Sequence, residues 1–490
     1  MNRKPASLIG AGSASLLALA AMAAPAQADN LRDALAAAYT TNPTLESARA
    51  TQRAIDEGVP INRAQGLPSV AVTATHIEFI QQSANAFTAP ERNLGVNAQL
   101  LVPVYSGGAV RNGIAAAKER VEAGQADLRN TESTIFSQVV ASYMDVLRTE
   151  ALVALARNNV AVLRTNLEAT SDRFQIGDLT ITDVAQSRSR LAVAEGDLQA
   201  AEANLIAARE TYIRLVGNEP GELEAPPPLP GLPDTVGDAI VAALENNPNL
   251  DAAKQRAQAA GFDTKAAGSG RLPSVNVFVN GDYSDFFGTL GGPVSADFAQ
   301  SEKTANAGVR VTIPLFQGGL PAAQKRQAGA RESAALEDVI AAERQIIAET
   351  RATYSNWLAA SAIIKSAQAA VEAAELSLEG VRAENSIGNR QILDVLNAEQ
   401  ELVNARAQLV TARRNAYVAG FTLLALMGRA EARDLNLDAG VLYDPQINAD
   451  RVSSKMWDWD RDPKAEAKST RTVDIPPANA TIGPQLLPGE

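Results

Sequence analysis

Hydrophobic positions in this chain follow two periods, one of about 3.5 residues and one of 2. From Ala109 to Arg173 there is no proline, and Ile135, Val139, Ser142, Val146, Thr149, Val153, Ala156, Val160, Leu163 and Leu167 are spaced four-three-four-three. Small and apolar residues at that spacing form the packed seam of a long coiled-coil helix. Ile346, Thr350, Thr353, Trp357, Ala360, Ile364, Ala367, Val371, Ala374 and Leu378 repeat the seam, and Leu191–Leu215 and Leu402–Leu426 carry it in two shorter helices. At 1.5 Å per residue, a helix of roughly 60 residues is about 95 Å long. The helices opening each half, expected over Leu31–Gly66 and Val236–Gly270, are about as long as the shorter ones, so two stacked end to end match the long one beside them. Equal-height staves of that kind build a cylinder; a solid coiled-coil rod uses the same seam.

Between the first two helices of each half the period drops to 2. Leu94, Val96, Ala98, Leu100 and Val102 alternate with Asn93, Gly95, Asn97 and Gln99; Val275, Val277 and Val279 alternate with Ser274, Asn276 and Asn280. Ala307, Val309, Val311 and Ile313 alternate with Asn306, Arg310 and Thr312, and Pro68–Ile80 is a weaker fourth run. Runs of about 10–12 residues with an apolar-out, polar-in alternation suit transmembrane β-strands, although a half-buried soluble strand alternates in the same way. Four strands cannot close around a pore, and lipid tolerates no open edge, so a membrane reading requires an oligomer. Three copies would supply twelve strands.

The two halves are copies. Asn42-Pro43 returns as Asn247-Pro248 and Leu67-Pro68-Ser69-Val70 as Leu272-Pro273-Ser274-Val275, both shifted by 205 residues. Pro103 and Pro314, Tyr143 and Tyr354, Gly177 and Gly388, and Gly217 and Gly428 are shifted by 211. A constant offset through Gly, Pro and Tyr marks a duplication. The six extra residues fall between Pro273 and Pro314, and the loop Asp285–Lys303, longer than Ser83–Arg92, is where they are expected. The organisation that follows is a first repeat over 29–217 (hairpin 68–104, tip 173–183), a proline-rich linker over 218–234 and a second repeat over 235–428 (hairpin 273–315, tip 382–394). An equatorial segment and tail over 429–490 follows, Pro-, Ser- and Thr-rich from Ala465 and read as disordered. Each tip carries an Ile-Gly, a few polar residues and an Asp-Val whose Asp is expected to cap the next helix.

Composition narrows the chemistry. Asn2-Arg3-Lys4, a short apolar run and Ala26-Gln27-Ala28 read as a secretory signal peptide over 1–28. Without Arg3 and Lys4 there are 42 basic against 56 acidic side chains, which argues against nucleic acid as a partner. There is no cysteine, hence no disulfide, thiolate metal site or acylated cysteine. His76 is the single histidine and lies in a strand with nothing nearby at ligand spacing, and neither Gly107-Gly108 nor Gly318-Gly319 has the lysine of a phosphate loop. An enzyme is not indicated, nor any cofactor or metal.

With these features in place the chain resembles the TolC family of outer-membrane efflux and secretion channels. The likeness rests on the duplicated plan, the Asn-Pro near each repeat start and the Leu-Pro-Ser entering each first strand. Pro-Val-Tyr-Ser-Gly-Gly and Pro-Leu-Phe-Gln-Gly-Gly leave each second strand, and the Ile-Gly…Asp-Val tips match too; together they cover about Asn30 to Gly428. The resemblance implies a mainly α fold with a β-barrel part: a homotrimer with a 12-stranded barrel in outer-membrane lipid, continuing as an α-helical tunnel into the periplasm. It implies docking through the tips (Ile176, Gly177, Asp178, Ile387, Gly388, Asn389) onto a periplasmic adaptor coupled to an inner-membrane ABC or proton-driven pump. It also implies a periplasmic gate at Thr182, Asp183, Arg390 and Asp394, with Arg390 facing Asp183. Two family features are absent: a tyrosine before the second glycine is Asn385, and a second acidic ring is Asn397. A belt around the tunnel's middle is implied for the linker and the residues after the last helix; Leu442-Tyr443-Asp444-Pro445 resembles a stretch of secretion-type members, and Trp457 and Trp459 are left undecided. The competing reading is a non-conducting coiled-coil or adhesin-like envelope protein.

Overall fold

The computed structural model describes residues 30–82, 90–437 and 442–482; the expected signal peptide and the middle of the first strand connection lie outside the described residues. The first repeat runs α1 (Leu31–Thr41), α2 (Pro43–Asp56), α3 (Gly58–Ala64), β1 (Ser69–Glu78), β2 (Arg92–Tyr105), α4 (Ala109–Gln175) and α5 (Ile181–Val216). The second runs α6 (Val236–Asn246), α7 (Pro248–Gly268), β3 (Ser274–Asp285), β4 (Ser301–Thr312), α8 (Leu320–Ser386) and α9 (Ile392–Leu426), followed by α10 (Pro445–Ser453).

The opening helices are not continuous. Proline has no N–H and pushes the preceding residue out of the helical region, so Asn42 and Asn247 are extended (φ −68°, ψ 121° and φ −66°, ψ 121°) and each repeat opens with a broken helix. The same asparagines mend the break. Asn42 Oδ1 accepts from the amides of Thr44 (2.9 Å) and Leu45 (3.3 Å), and its Nδ2 donates to Leu215 O at 2.9 Å. Asn247 does likewise with Asn249, Leu250 and Leu426 O, the last at 2.9 Å. One side chain therefore caps the start of an upper helix and satisfies a terminal carbonyl of the lower one.

The long helices α4 and α8 have 67 residues each, about 100 Å. On one flank of α4, α2 covers the half nearer the strands, with Gln52 Nε2 on Val121 O (3.3 Å), and α5 covers the other half through Arg157–Glu202 (2.8 Å) and Arg164–Glu195 (3.1 Å). On its other flank sit α7, through Arg129–Asp251 (2.7 Å), Arg120–Asp263 and Arg256–Asp127, and α9, through Arg414–Asp145 (2.9 Å). Next comes α8, packed on α7 and α9. The result is a slab four staves wide. Its seam is the one read from the sequence: Ile135, Val139, Ser142, Val146, Thr149, Val153, Val160 and Leu163 are buried on α4, and Ile346, Thr350, Ala360, Ala367, Val371, Ala374 and Leu378 on α8. Tyr143 and Tyr354, equivalent in the two repeats, donate their hydroxyls to Glu224 O (2.7 Å) and Asp234 O (2.8 Å) and so pin the linker at two points.

The strands form one antiparallel sheet in the order β1-β2-β3-β4. The register aligns Val70, Leu100, Val279 and Ala307 across all four, and Val102, Val277 and Val309 across three, on one apolar face. The opposite face carries Asn97, whose Nδ2 donates to Asp282 Oδ1 at 2.6 Å, and Asn280, which donates to Asn306 Oδ1 at 3.2 Å. That is the alternation of a strand between lipid and a wet lumen. The inserted residues are not confined to the loop. They extend β3 by two residues over β1, start β4 two residues earlier than the equivalent point of β2, and lengthen the connection only from 79–91 to 286–300. Among the described residues, no helix is long and apolar enough to cross a membrane.

The largest core lies where the staves meet. Leu31, Leu35, Tyr39, Leu45, Phe136, Val139, Tyr143, Tyr212, Leu215 and Phe421 cluster there, with Ala480 and Ile482 packed against them. The last two correct the expectation of a disordered tail. Up to residue 482 the tail lacks helix and strand, yet it is fixed by Arg209 Nη1 on Asn479 O (2.7 Å), Arg157 Nη2 on Ala480 O (2.9 Å) and the Ala478 amide on Glu210 (2.8 Å).

Candidate functional site at the helical tips

Both tips turn by the same hydrogen bonds. Gly177 and Gly388 have φ of +84° and +79°, the left-handed region that favours glycine. Gly177 N donates to Phe174 O (3.0 Å) and Asp178 N to Arg173 O (2.9 Å); Gly388 N and Asn389 N repeat this with Asn385 O (3.0 Å) and Glu384 O (2.9 Å). These are Schellman closures of α4 and α8, which satisfy the last carbonyls of each helix. The turn leaves Ile176 (81% exposed), Ile387 (71% exposed), Asp178 and Asn389 at the surface.

The next helix starts with a capping box, and the aspartate is its third helical residue instead of its cap. Thr180 is the N-cap of α5; its hydroxyl and amide both donate to Asp183 Oδ2, at 2.7 and 2.9 Å. These bonds, the hydroxyl first, hold the Asp183 carboxyl below the usual range. Asp394 reaches back in the same way to the Gln391 amide (3.4 Å) on α9. Thr182, one residue into α5, is exposed and free to face a neighbour.

Opposite charges brace each turn. Arg173 pairs with Asp178 at 2.7 Å across the first; in the second the signs are reversed, with Glu384 and Arg390 at 2.7 Å and Asp394 4.0 Å from Arg390. Asn385, where the family's tyrosine is missing, donates its Nδ2 to Arg390 O at 2.8 Å. Arg390 and Asp183 are therefore each engaged within their own tip, and among the described residues they form no ion pair with one another. Near the tips the two hairpins are joined by a link that was not foreseen: Arg190 of α5 donates to Asn397 Oδ1 of α9 at 2.9 Å. Leu396 beside it is buried among Val160, Leu163 and Ala194, so the second hairpin nests against the first just above the tips.

A second polar cluster, invisible in the sequence, lies at the equator. Glu132 of α4 accepts the Ala432 amide, and burial pushes its carboxyl up to about 7, reinforced by Glu431 and opposed by that amide, Arg49 and Arg433. Burial raises Glu431 as well. The Arg49 guanidinium is stacked 4.3 Å from the Tyr39 ring and 5.3 Å from Tyr443, and the Tyr443 amide donates to the Tyr39 hydroxyl. These contacts clasp the segment after α9 onto the first repeat. His76 sits at the outer end of the apolar sheet face, edge-on to Phe287 at 5.9 Å.

The family model of the outer membrane efflux protein matches residues 34–218 and 239–429, one stretch per repeat. The chain belongs to the outer membrane efflux protein family. It is 32% identical to the outer membrane efflux protein BepC of Brucella suis biovar 1 (strain 1330) over 88% of this chain and 92% of that one. It is 25% identical to the outer membrane protein TolC of Escherichia coli (strain K12), with 86% of both chains covered. Among solved structures, the CmeC outer membrane channel of Campylobacter jejuni superposes with a TM-score of 0.72 at 16% identity, covering 86% of this chain and 89% of that one. As a member of this transport family, the chain is an outer-membrane channel protein, with strands in the outer membrane and helices extending into the periplasm.

Proposed function

We propose that three copies close into a tunnel that carries cargo from an inner-membrane pump and a periplasmic adaptor to the exterior, in efflux or type I secretion, and that its periplasmic end is shut by the tips. The slab itself supports the trimer. Among the described residues both sheet edges, β1 and β4, lack a strand partner, and α8 leaves Leu336 (54%), Ile363 (54%) and Leu376 (72%) exposed. A strand edge in lipid must be paired, and the opposite edge of a neighbouring copy can pair it.

The single observation that carries the gating proposal is the capping geometry. Asp183 is ionised, fixed at the start of α5 and exposed, while Arg390 is exposed on the second tip and held only by surface pairs. Solvent-exposed ion pairs are weak, so Arg390 can exchange Glu384 for Asp183 of an adjoining hairpin at little cost. A ring of such links, with Thr182 and Asp394, gives an iris weak enough for an adaptor bound to Ile176, Gly177, Asp178, Ile387, Gly388 and Asn389 to open. In cells lacking the endogenous gene, the wild-type chain should restore export and resistance. Asp183→Ala with Arg390→Ala should do the same while admitting large antibiotics that the outer membrane normally excludes. Unchanged susceptibility to large antibiotics would place the closure elsewhere.

A further inference from the structure

The segment after α10 is built to present tryptophan. Arg451 grips Asp462 with both terminal nitrogens (2.7 and 2.9 Å), and Lys455 bridges Asp460 (3.0 Å) and Asp462 (2.9 Å). The Asp460 amide closes on Trp457 O at 3.1 Å. Within this cross-braced loop Met456, Trp457 and Trp459 are 64%, 74% and 74% exposed. Among the described residues nothing covers them, although the loop around them is tied in place. An exposed Trp pair is costly in water and needs a partner.

The position of the loop says which. Arg63, at the end of α3, donates to Ser453 O at 2.8 Å and lies 3.9 Å from the Met456 sulfur. Six residues later β1 begins at Ser69. Six residues span at most about 21 Å, and less here because the first are helical, so the loop sits at the periplasmic rim of the strands. At that rim the other strands also end in exposed aromatics, with Tyr105 at 49% and Phe316 just beyond β4 at 88%. Ten to twelve tilted residues span about the 25 Å apolar band of an outer-membrane barrel, so the rim is the headgroup layer of the inner leaflet. Tryptophan partitions to that layer because its ring is apolar and its N–H finds water or a headgroup. Of the loop's aspartates, Asp460 and Asp462 are paired with Lys455 and Arg451, and Asp458, between the two tryptophans, is left to face the water side of the interface.

We infer that Trp457 and Trp459 are a phospholipid-interface anchor, which extends the aromatic girdle of the barrel onto the equatorial segment and ties that segment to the inner leaflet. In a chain without cysteine, which cannot carry a thiol-linked acyl group, such a loop supplies a protein-made substitute. The inference rests on the outer-membrane placement of the strands.

The test uses the full-length protein bearing Trp357→Phe, so that Trp457 and Trp459 alone emit. It is reconstituted into phosphatidylethanolamine–phosphatidylglycerol vesicles carrying bromine either just below the headgroup or near the chain ends. Flotation with the vesicles checks membrane insertion separately. The expected result is blue-shifted emission in vesicles, with strong loss of intensity from shallow bromine and little from deep bromine. Replacing Trp457 alone or Trp459 alone by Ser should leave the remaining tryptophan quenched by shallow bromine and leave flotation intact. Floating protein that escapes both lipids overturns the anchor. That holds whether the emission is quenched by aqueous iodide, as for a pair free in the periplasm, or shielded from it, as for a pair covered by a second copy or another protein.

Discussion

The Asn-Pro junction makes a quantitative demand. Asn42 is 3% exposed, and its side chain makes two cap bonds to α2 and one bond to the buried carbonyl of Leu215. In Asn42→Ala the loss of the cap costs about 1 kcal/mol. The stranded Leu215 carbonyl adds about 1–3 kcal/mol, the cost of leaving a buried acceptor unpaired. The sum, about 2–4 kcal/mol per chain, corresponds to a roughly 30- to 1,000-fold shift in the local opening equilibrium. Asn42→Asp keeps the acceptor and loses the donor, so it should forfeit the carbonyl share and retain the cap. Asn247→Ala, which breaks the equivalent bond to Leu426 O, should resemble Asn42→Ala. The assay is urea unfolding of the detergent-purified protein followed by helical circular dichroism, with Thr40→Ala, whose hydroxyl bonds only carbonyls of its own helix, as the control. If Asn42→Ala proved as stable as Thr40→Ala, the splice would not be what joins the stacked helices.

Other expectations follow from the same geometry. Because the folded protein raises the Glu132 pKa from 4.5 to about 7, it binds more protons than the unfolded chain between those values. Stability should therefore fall by about 1–3 kcal/mol as pH rises from 4.5 to 7 and level off above; Glu132→Gln should remove most of that slope in pH-resolved thermal melts. Gly177→Ala meets no neighbouring atom but must adopt positive φ, so it should cost about 1–2 kcal/mol and loosen the first tip, read as faster amide exchange over residues 174–180. Arg190→Ala severs the Asn397 link and should leave thermal stability nearly unchanged while raising exchange at the starts of α5 and α9.

Much of this fold was legible because its determinants are local or periodic. The four-three spacing, the alternation in the strands and the constant repeat offset each depend on near neighbours, and the buried seam and sheet register agree with them. The Asn-Pro breaks were legible too, had Pro43 and Pro248 been taken for what they do to the residue before them. So were the tip braces: Arg173 and Asp178 flank one Ile-Gly, and Glu384 and Arg390 the other, with opposite order of sign. What sequence could not show were contacts between distant segments. The tail reads as disordered by composition, but its backbone is satisfied by Arg157, Arg209 and Glu210, some 270–320 residues away. The Glu132–Glu431 clasp is equally non-local, and the pairing expected for Arg390 depends on a hairpin beyond its own tip.

The central claim is that this chain conducts only as a closed oligomer with its iris at the tips. The direct measurement is single-channel conductance of the purified protein in planar lipid bilayers, beside Asp183→Ala with Arg390→Ala. The account predicts long-lived channels of low conductance for the wild type and a several-fold larger conductance for the double variant, with trimer content unchanged. No channels from either protein, when both insert into the bilayer, would contradict it.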